Sequence, residues 1–226
     1  MQLKGGHGFS KLRRLQSLTI HGHKHARCSL YLNLGSIPRS LVELDLDNAD
    51  LVEGLALSVF ERGLDNLSDS NVTPTAILER LRFLTLRSCS VPLHPLLTPN
   101  LLRVKMYDVQ LDTAAAAAAA AVGTSLRGDP IRQSSHIVQM VMACPRLQVL
   151  CLERIFNPNC GVLYAGGGNK NELAQMVRTL ASTLNTLYLD LGSAVSANEI
   201  QSLTELRNLS ELGLTLSTCN VSVTVR

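Results

Sequence analysis

Leu81-Arg82-Phe83-Leu84-Thr85-Leu86-Arg87-Ser88-Cys89-Ser90-Val91 is the stretch whose reading decides the fold. Numbered from Leu81, its apolar residues fall at positions 1, 4, 6, 9 and 11. That spacing is neither the 3.6-residue period of a helix nor plain alternation. Leu84 and Leu86 alternate as in a short strand with one buried face. Leu81, Cys89 and Val91 then point inward from the turns on either side. Such a coil buries its apolar side by stacking on copies of itself.

The pattern recurs six times with varying quality. The other stretches are Leu15-Leu18-Ile20, Leu41-Leu44-Leu46-Ala49-Leu51, Leu101-Val104-Met106-Val109-Leu111, Leu147-Leu150-Leu152-Ile155, Leu184-Leu187-Leu189 and Leu209-Leu212-Leu214. The position-4 residues are Leu18, Leu44, Leu84, Val104, Leu150, Leu187 and Leu212, separated by about 20 to about 46 residues. The short intervals suit single repeats, and the long ones hold insertions or degenerate repeats.

This pattern resembles the leucine-rich repeat. The stretches LERLRFLTLRSCSV (78–91) and CPRLQVLCLERI (144–155) are similar to the cysteine-containing repeats of F-box leucine-rich-repeat proteins, without the F-box itself. The helical connections are similar to those of ribonuclease-inhibitor-like arrays. The resemblance implies an α/β solenoid of about seven irregular repeats, with parallel strands on the concave face and helices on the convex face. Residues 1–226 are then one domain. A basic lead (1–11), an Ala-rich insertion (112–128) and a Gly/Asn-rich insertion (157–171) interrupt it.

Composition fits an intracellular, cytoplasmic chain with no membrane span. Hydrophobic residues make up 46% of the sequence, yet no apolar run reaches the ~18 residues a span requires. The six cysteines are scattered without a C-x-x-C pair and read as reduced, largely core-filling thiols. Residues 1–42 contain Lys4, Lys11, Arg13, Arg14, Lys24, Arg27 and Arg39 but no acid. That start fits a solvated face, a contact to an acidic partner such as RNA, or a mitochondrial presequence.

The connections read as helices and loops. Residues 50–64 are expected to be helical, with Leu51, Leu55, Val59 and Phe60 inward, and to leave no hidden strand before Leu81. Thr73-Pro74 and Asp129-Pro130 open further helices. Ile137, Met140, Val141 and Cys144 form one helical stripe. Leu173, Met176, Val177 and Leu180 form another. Ser196-x-x-Glu199 is a capping box for a third helix, with Ile200, Leu203 and Leu206 inward. The tail Val221–Val225 alternates like one more strand and would present an open edge. Both ends of the array are expected to need cover, from more chain or from neighbours.

Chemistry-bearing motifs are sparse. His21, His23 and His25 alternate near Cys28 as a zinc site could use, but a repeat turn after Ile20 breaks the alternation, and the spacing is no standard zinc signature. Gly166-Gly167-Gly168 suits an anion nest but lacks the phosphate-loop frame. No catalytic constellation, metal site or cofactor is expected.

The function expected is that of a non-catalytic scaffold binding a protein partner. Residues between the buried leucines must point the other way. Positions 3, 5 and 7 therefore form an exposed face, banded acidic (Glu43, Asp45, Asp47), then basic and aromatic (Phe83, Thr85, Arg87; Arg103, Lys105, Tyr107), then Tyr188 and Asp190. Aromatic and Arg side chains of this kind anchor interfaces. The alternatives are a structural subunit of a multiprotein or ribonucleoprotein assembly, and the substrate-receptor part of a ubiquitin ligase.

Overall fold

A computed structural model describes residues 12–22, 30–52, 78–92, 96–111, 141–157, 161–163, 172–191, 197–216 and 221–225. Among them lie β1 (Ser17–His21), β2 (Leu30–Asn33), β3 (Glu43–Asp47), β4 (Ala49–Val52), β5 (Phe83–Arg87) and β6 (Ser90–Val91). They are followed by β7 (Arg103–Leu111), β8 (Val149–Asn157), β9 (Gly161–Leu163), helix α1 (Glu172–Leu180), β10 (Thr186–Leu191), helix α2 (Ala197–Ser202), β11 (Glu211–Leu216) and β12 (Val221–Val225).

The architecture is mixed α/β, with a mostly parallel sheet and few helices. The main sheet runs in the order β1-β3-β5-β7-β8-β10-β11-β12, with β6 added to β7 and β9 to β8. β1, β3, β5, β7, β8, β10 and β11 are parallel in sequence order. β12 closes the order antiparallel to β11.

The register follows the leucine pattern. Leu18, Leu44, Leu84, Val104, Leu150, Leu187 and Leu212 stand opposite one another in one file. Leu44, Leu84, Val104, Leu150 and Leu187 have no exposed surface. The position-6 file behaves alike, with Leu46 and Leu86 at 0% and Met106 at 1%. Each such side chain contributes about 1.5–3 kcal/mol when removed from water. The files form one continuous core with the buried side of the turns and helices, including Leu173, Met176, Val177, Leu180 and Leu203.

Local geometry explains why each strand begins where it does. The N–H of the position-1 residue donates to the carbonyl three residues earlier: Leu41 to Pro38, Leu81 to Leu78, Leu101 to Thr98, Leu147 to Cys144 and Leu209 to Leu206. The turn leaves position 1 pointing inward, and Leu41, Leu81, Leu101, Leu147 and Leu184 are fully buried. The position-2 carbonyl then accepts two N–H groups of the following strand. Arg82 and Phe83 donate to Val42, and Leu102 and Arg103 donate to Arg82.

At position 8 the chain bends. Asn48, Ser88, Asp108 and Arg154 all have positive φ, from 48° to 53°. The bend turns positions 9 and 11 back inward, so Ala49, Leu51, Cys89, Val91, Val109, Leu111 and Ile155 are buried. Past the bend, Ser90 and Val91 pair with Gln110 and Leu111.

Several expectations are corrected. Asp50–Val52 belong to β4, not to the start of a helix, because Leu51 is held in register with Leu32 of β2. The remainder of 50–64, together with Thr73-Pro74, lies outside the described residues. β2 itself is unforeseen. It takes the place beside Ala49 and Leu51 that the first motif does not supply at the usual spacing. β1 runs one residue past Ile20, to His21, before Gly22. In the 157–171 stretch, Gly161–Leu163 forms β9, antiparallel to the end of β8. Gly166–Gly168 and the 112–128 insertion lie outside the described residues.

The α1 stripe is as expected, with Leu173, Met176, Val177 and Leu180 at 0–1% exposure. Val141 and Cys144 are fully buried, while Ile137 and Met140 are not described. In α2, Ile200 is 40% exposed rather than inward. The helix tightens into a 3-10 turn at Leu203–Glu205, which moves the buried side to Glu199, Ser202, Leu203 and Leu206. Ser196 lies outside the described residues.

Candidate functional site

The face opposite the leucine files carries positions 3, 5 and 7. The register lines Glu43, Phe83 and Arg103 in one row, Asp45, Thr85 and Lys105 in a second, and Asp47, Arg87 and Tyr107 in a third. Tyr188 continues the middle row beyond Cys151 and is followed by Gly213. The expected face residues are therefore brought together on one sheet surface.

Their chemistry differs from a set of free bands. Arg87 donates from Nη1 to Asp45 Oδ1 at 2.8 Å, one strand away. Arg103 reaches across β5 to Glu43 Oε1 at 3.0 Å. On the way its guanidinium stacks on the Phe83 ring, 4.8 Å from the centroid. The acidic and basic bands thus neutralise one another, because strands ~4.8 Å apart let an Arg span one or two neighbours. Both pairs are partly exposed, so each contributes at most about 1 kcal/mol.

Two middle-row positions are not exposed as expected. Thr85 is 7% and Cys151 2% exposed. Both are short side chains between longer neighbours. The Tyr107 hydroxyl donates to the Cys151 thiol, and burial pushes the Tyr107 phenol up to about 12, with Cys151 adding to the rise. Burial also raises the Cys151 thiol, against a lowering by the nearby Lys105 ammonium. Gly213 is buried as well, because the Tyr188 ring lies against it; a Cβ there would overlap the ring. The Tyr188 hydroxyl donates to Glu211 Oε1 at 2.8 Å.

Asp190 is engaged internally. Its Oδ2 accepts the backbone N–H of Arg154 at 2.7 Å, at the residue with the left-handed bend. Arg154 in turn donates to Asp108 Oδ2 at 2.7 Å. Asp108 and Arg154 thus belong to the rim of the face, which sequence reasoning missed. The available signal was the recurrence of Asn48 and Asp108 at position 8, since Asn and Asp tolerate the left-handed region. Asp47 is held by Asn48 Nδ2 at 2.6 Å and has His21 Nδ1 at 3.6 Å. Lys105 has no carboxylate within 4.0 Å among the described residues.

Other sequence features place no second site here. Among the described residues no group of three or more His, Cys, Asp or Glu is set to hold a metal ion. His23, His25 and Cys28 lie outside them. Cys89, Cys144 and Cys151 are free and buried. Arg13, Arg14 and Arg39 of the basic start are exposed, whereas Lys4, Lys11, Lys24 and Arg27 are not described. No helix among the described residues is long and apolar enough to cross a membrane. The chain matches no protein-family model, no curated protein and no solved structure.

Proposed function

We propose that this chain is a non-catalytic interaction module of the leucine-rich-repeat type, which binds a protein partner through the polar face of its parallel sheet. The observation that carries this reading is the seven-strand register. It stacks every inward leucine in files and leaves positions 3, 5 and 7 as one ordered surface. In this reading the strands line the concave side of a solenoid and the helices its convex side. The face offers Phe83 with Arg103, Tyr107 and Tyr188, already held by the ion pair, stacking and hydrogen bonds described above. Side chains fixed before binding lose little entropy on binding, which favours recognition.

The test is a native pull-down with mass spectrometry, run in parallel on the chain and on a Tyr107→Ala/Tyr188→Ala variant, at a temperature where circular dichroism shows both to be fully folded. Protein partners that are stoichiometric with the chain and lost from the variant support the proposal. Partners retained in full by the variant move the docking surface elsewhere and overturn it. A cullin adaptor among the partners would point to ubiquitin ligation.

A further inference from the structure

Resting on that reading, we propose that Lys105 is the point at which the partner's chain is read, and that the segment it accepts carries one carboxylate with a basic residue two positions away. The inference starts from which charges are satisfied. The other two cations of the outward rows, Arg87 and Arg103, each have a carboxylate within 3.0 Å. Lys105 has none among the described residues, although it sits in the central strand β7 and in the middle row. Its row neighbours, Thr85 and Cys151, are short and buried, so neither projects above it.

A partner that covers this face takes the Lys105 ammonium out of water. An ammonium desolvated without a counter-charge opposes binding, so the partner that seats well brings an anion to it. Lys105 stands directly opposite Cys151 in the register, and its ammonium lowers the Cys151 thiol against the rise from burial.

The rest of the face selects against a run of acids. Glu153, the next-strand neighbour of Tyr107, is 48% exposed by side chain. Its one guanidinium neighbour among the described residues, Arg154 at 3.8 Å, is held closer by Asp108 at 2.7 Å. Asp47 and Asp190 lie in the same row. Carboxylates outnumber cations over the three rows, so a polyacidic segment meets net repulsion. Lys105 and Glu153 are two residues apart along the strand and one strand apart across it. That separation is about 8 Å from the ~3.3 Å rise and ~4.8 Å strand spacing. An extended segment places side chains on one side every second residue, about 7 Å apart. The pattern that fits is therefore Asp or Glu, any residue, then Lys or Arg, in either direction.

The experiment pans a phage-displayed library of random short peptides against the whole chain. The winners are then measured by fluorescence anisotropy at physiological salt. Enriched peptides are expected to carry the acid-x-base pattern. Affinity should fall about tenfold when the peptide acid is replaced by its amide, or on Lys105→Met, while Lys105→Arg retains binding. Lys105 makes no ion pair among the described residues, so these variants should melt like the parent. Panning on Lys105→Glu should return Lys or Arg where the acid stood. Peptides that bind Lys105→Met as well as the parent but are lost on Tyr188→Ala overturn this inference and leave the interaction face standing. No enrichment at all, or peptides indifferent to both substitutions, overturns both.

Discussion

Leu84 lies between Leu44 and Val104 in the same file and has no exposed surface. Leu84→Asp replaces apolar packing with an unpaired carboxylate, so it should cost more than about 4 kcal/mol and collapse the circular-dichroism melt. An unchanged midpoint would refute the register around Leu81. Gly213 is a second position where one atom decides the outcome. Its missing Cβ is the space in which the Tyr188 ring lies. Gly213→Ala should cost about 1–3 kcal/mol by pushing the ring off and breaking its bond to Glu211. In a Tyr188→Ala background the same substitution should cost much less, and urea titrations of the parent and the three variants measure that coupling. Additivity would show that Tyr188 does not depend on Gly213.

At the scale of elements, the bend at position 8 links each strand to the inward residues that follow it. Three of the four bend residues have their own reason to accept positive φ or to be held there. Asn48 and Asp108 are residue types that tolerate it, and Arg154 is clamped by Asp190. Ser88 is exposed, and its N–H donates to the Tyr107 carbonyl. Ser88→Gly keeps that bond and removes the left-handed penalty, so it should raise stability by up to about 1 kcal/mol. Ser88→Val should lower it by at least as much. Urea midpoints of the two variants check the pair, and a destabilising Ser88→Gly would show that the bend carries no such strain. The same bend explains why Ala49–Val52 become a strand. Asp50 accepts the Ser90 N–H at 2.7 Å and Leu51 pairs with Leu32, contacts that a helix begun at Asp50 would forfeit.

Over the whole molecule, the buried thiols set an alkaline limit. Burial pushes Cys89 up to about 12, with Asp50 adding to the rise, and it pushes Cys144 up to about 12. An unfolded cysteine ionises near 9.0. Between those values the unfolded chain releases protons that the folded chain retains. Stability is therefore full below about pH 9 and falls as pH rises toward 12, with Tyr107 adding to the fall above 10. Urea midpoints measured from neutral to alkaline pH should show this decline, and Cys144→Ala should make it shallower. Equal slopes in parent and variant would mean that Cys144 ionises freely in the folded chain. The thiols should also resist alkylation at neutral pH unless the chain is unfolded.

The sequence by itself determined the strand files, because apolar spacing at positions 1, 4 and 6 admits one side for burial whatever the rest of the chain does. It determined the α1 stripe from Leu173 to Leu180 and the identity of the outward rows for the same reason. What only the tertiary structure decided lies between strands. Arg103 finds Glu43 two strands away, Tyr188 finds the gap over Gly213, Asp190 turns to the Arg154 N–H, and Thr85 and Cys151 disappear beneath longer neighbours. None of these follows from periodicity, which says which way a side chain points but not what stands beside it. β2 and β4 were hidden for the same reason: a strand of four residues is specified by its partner's register, and the partner is distant in sequence.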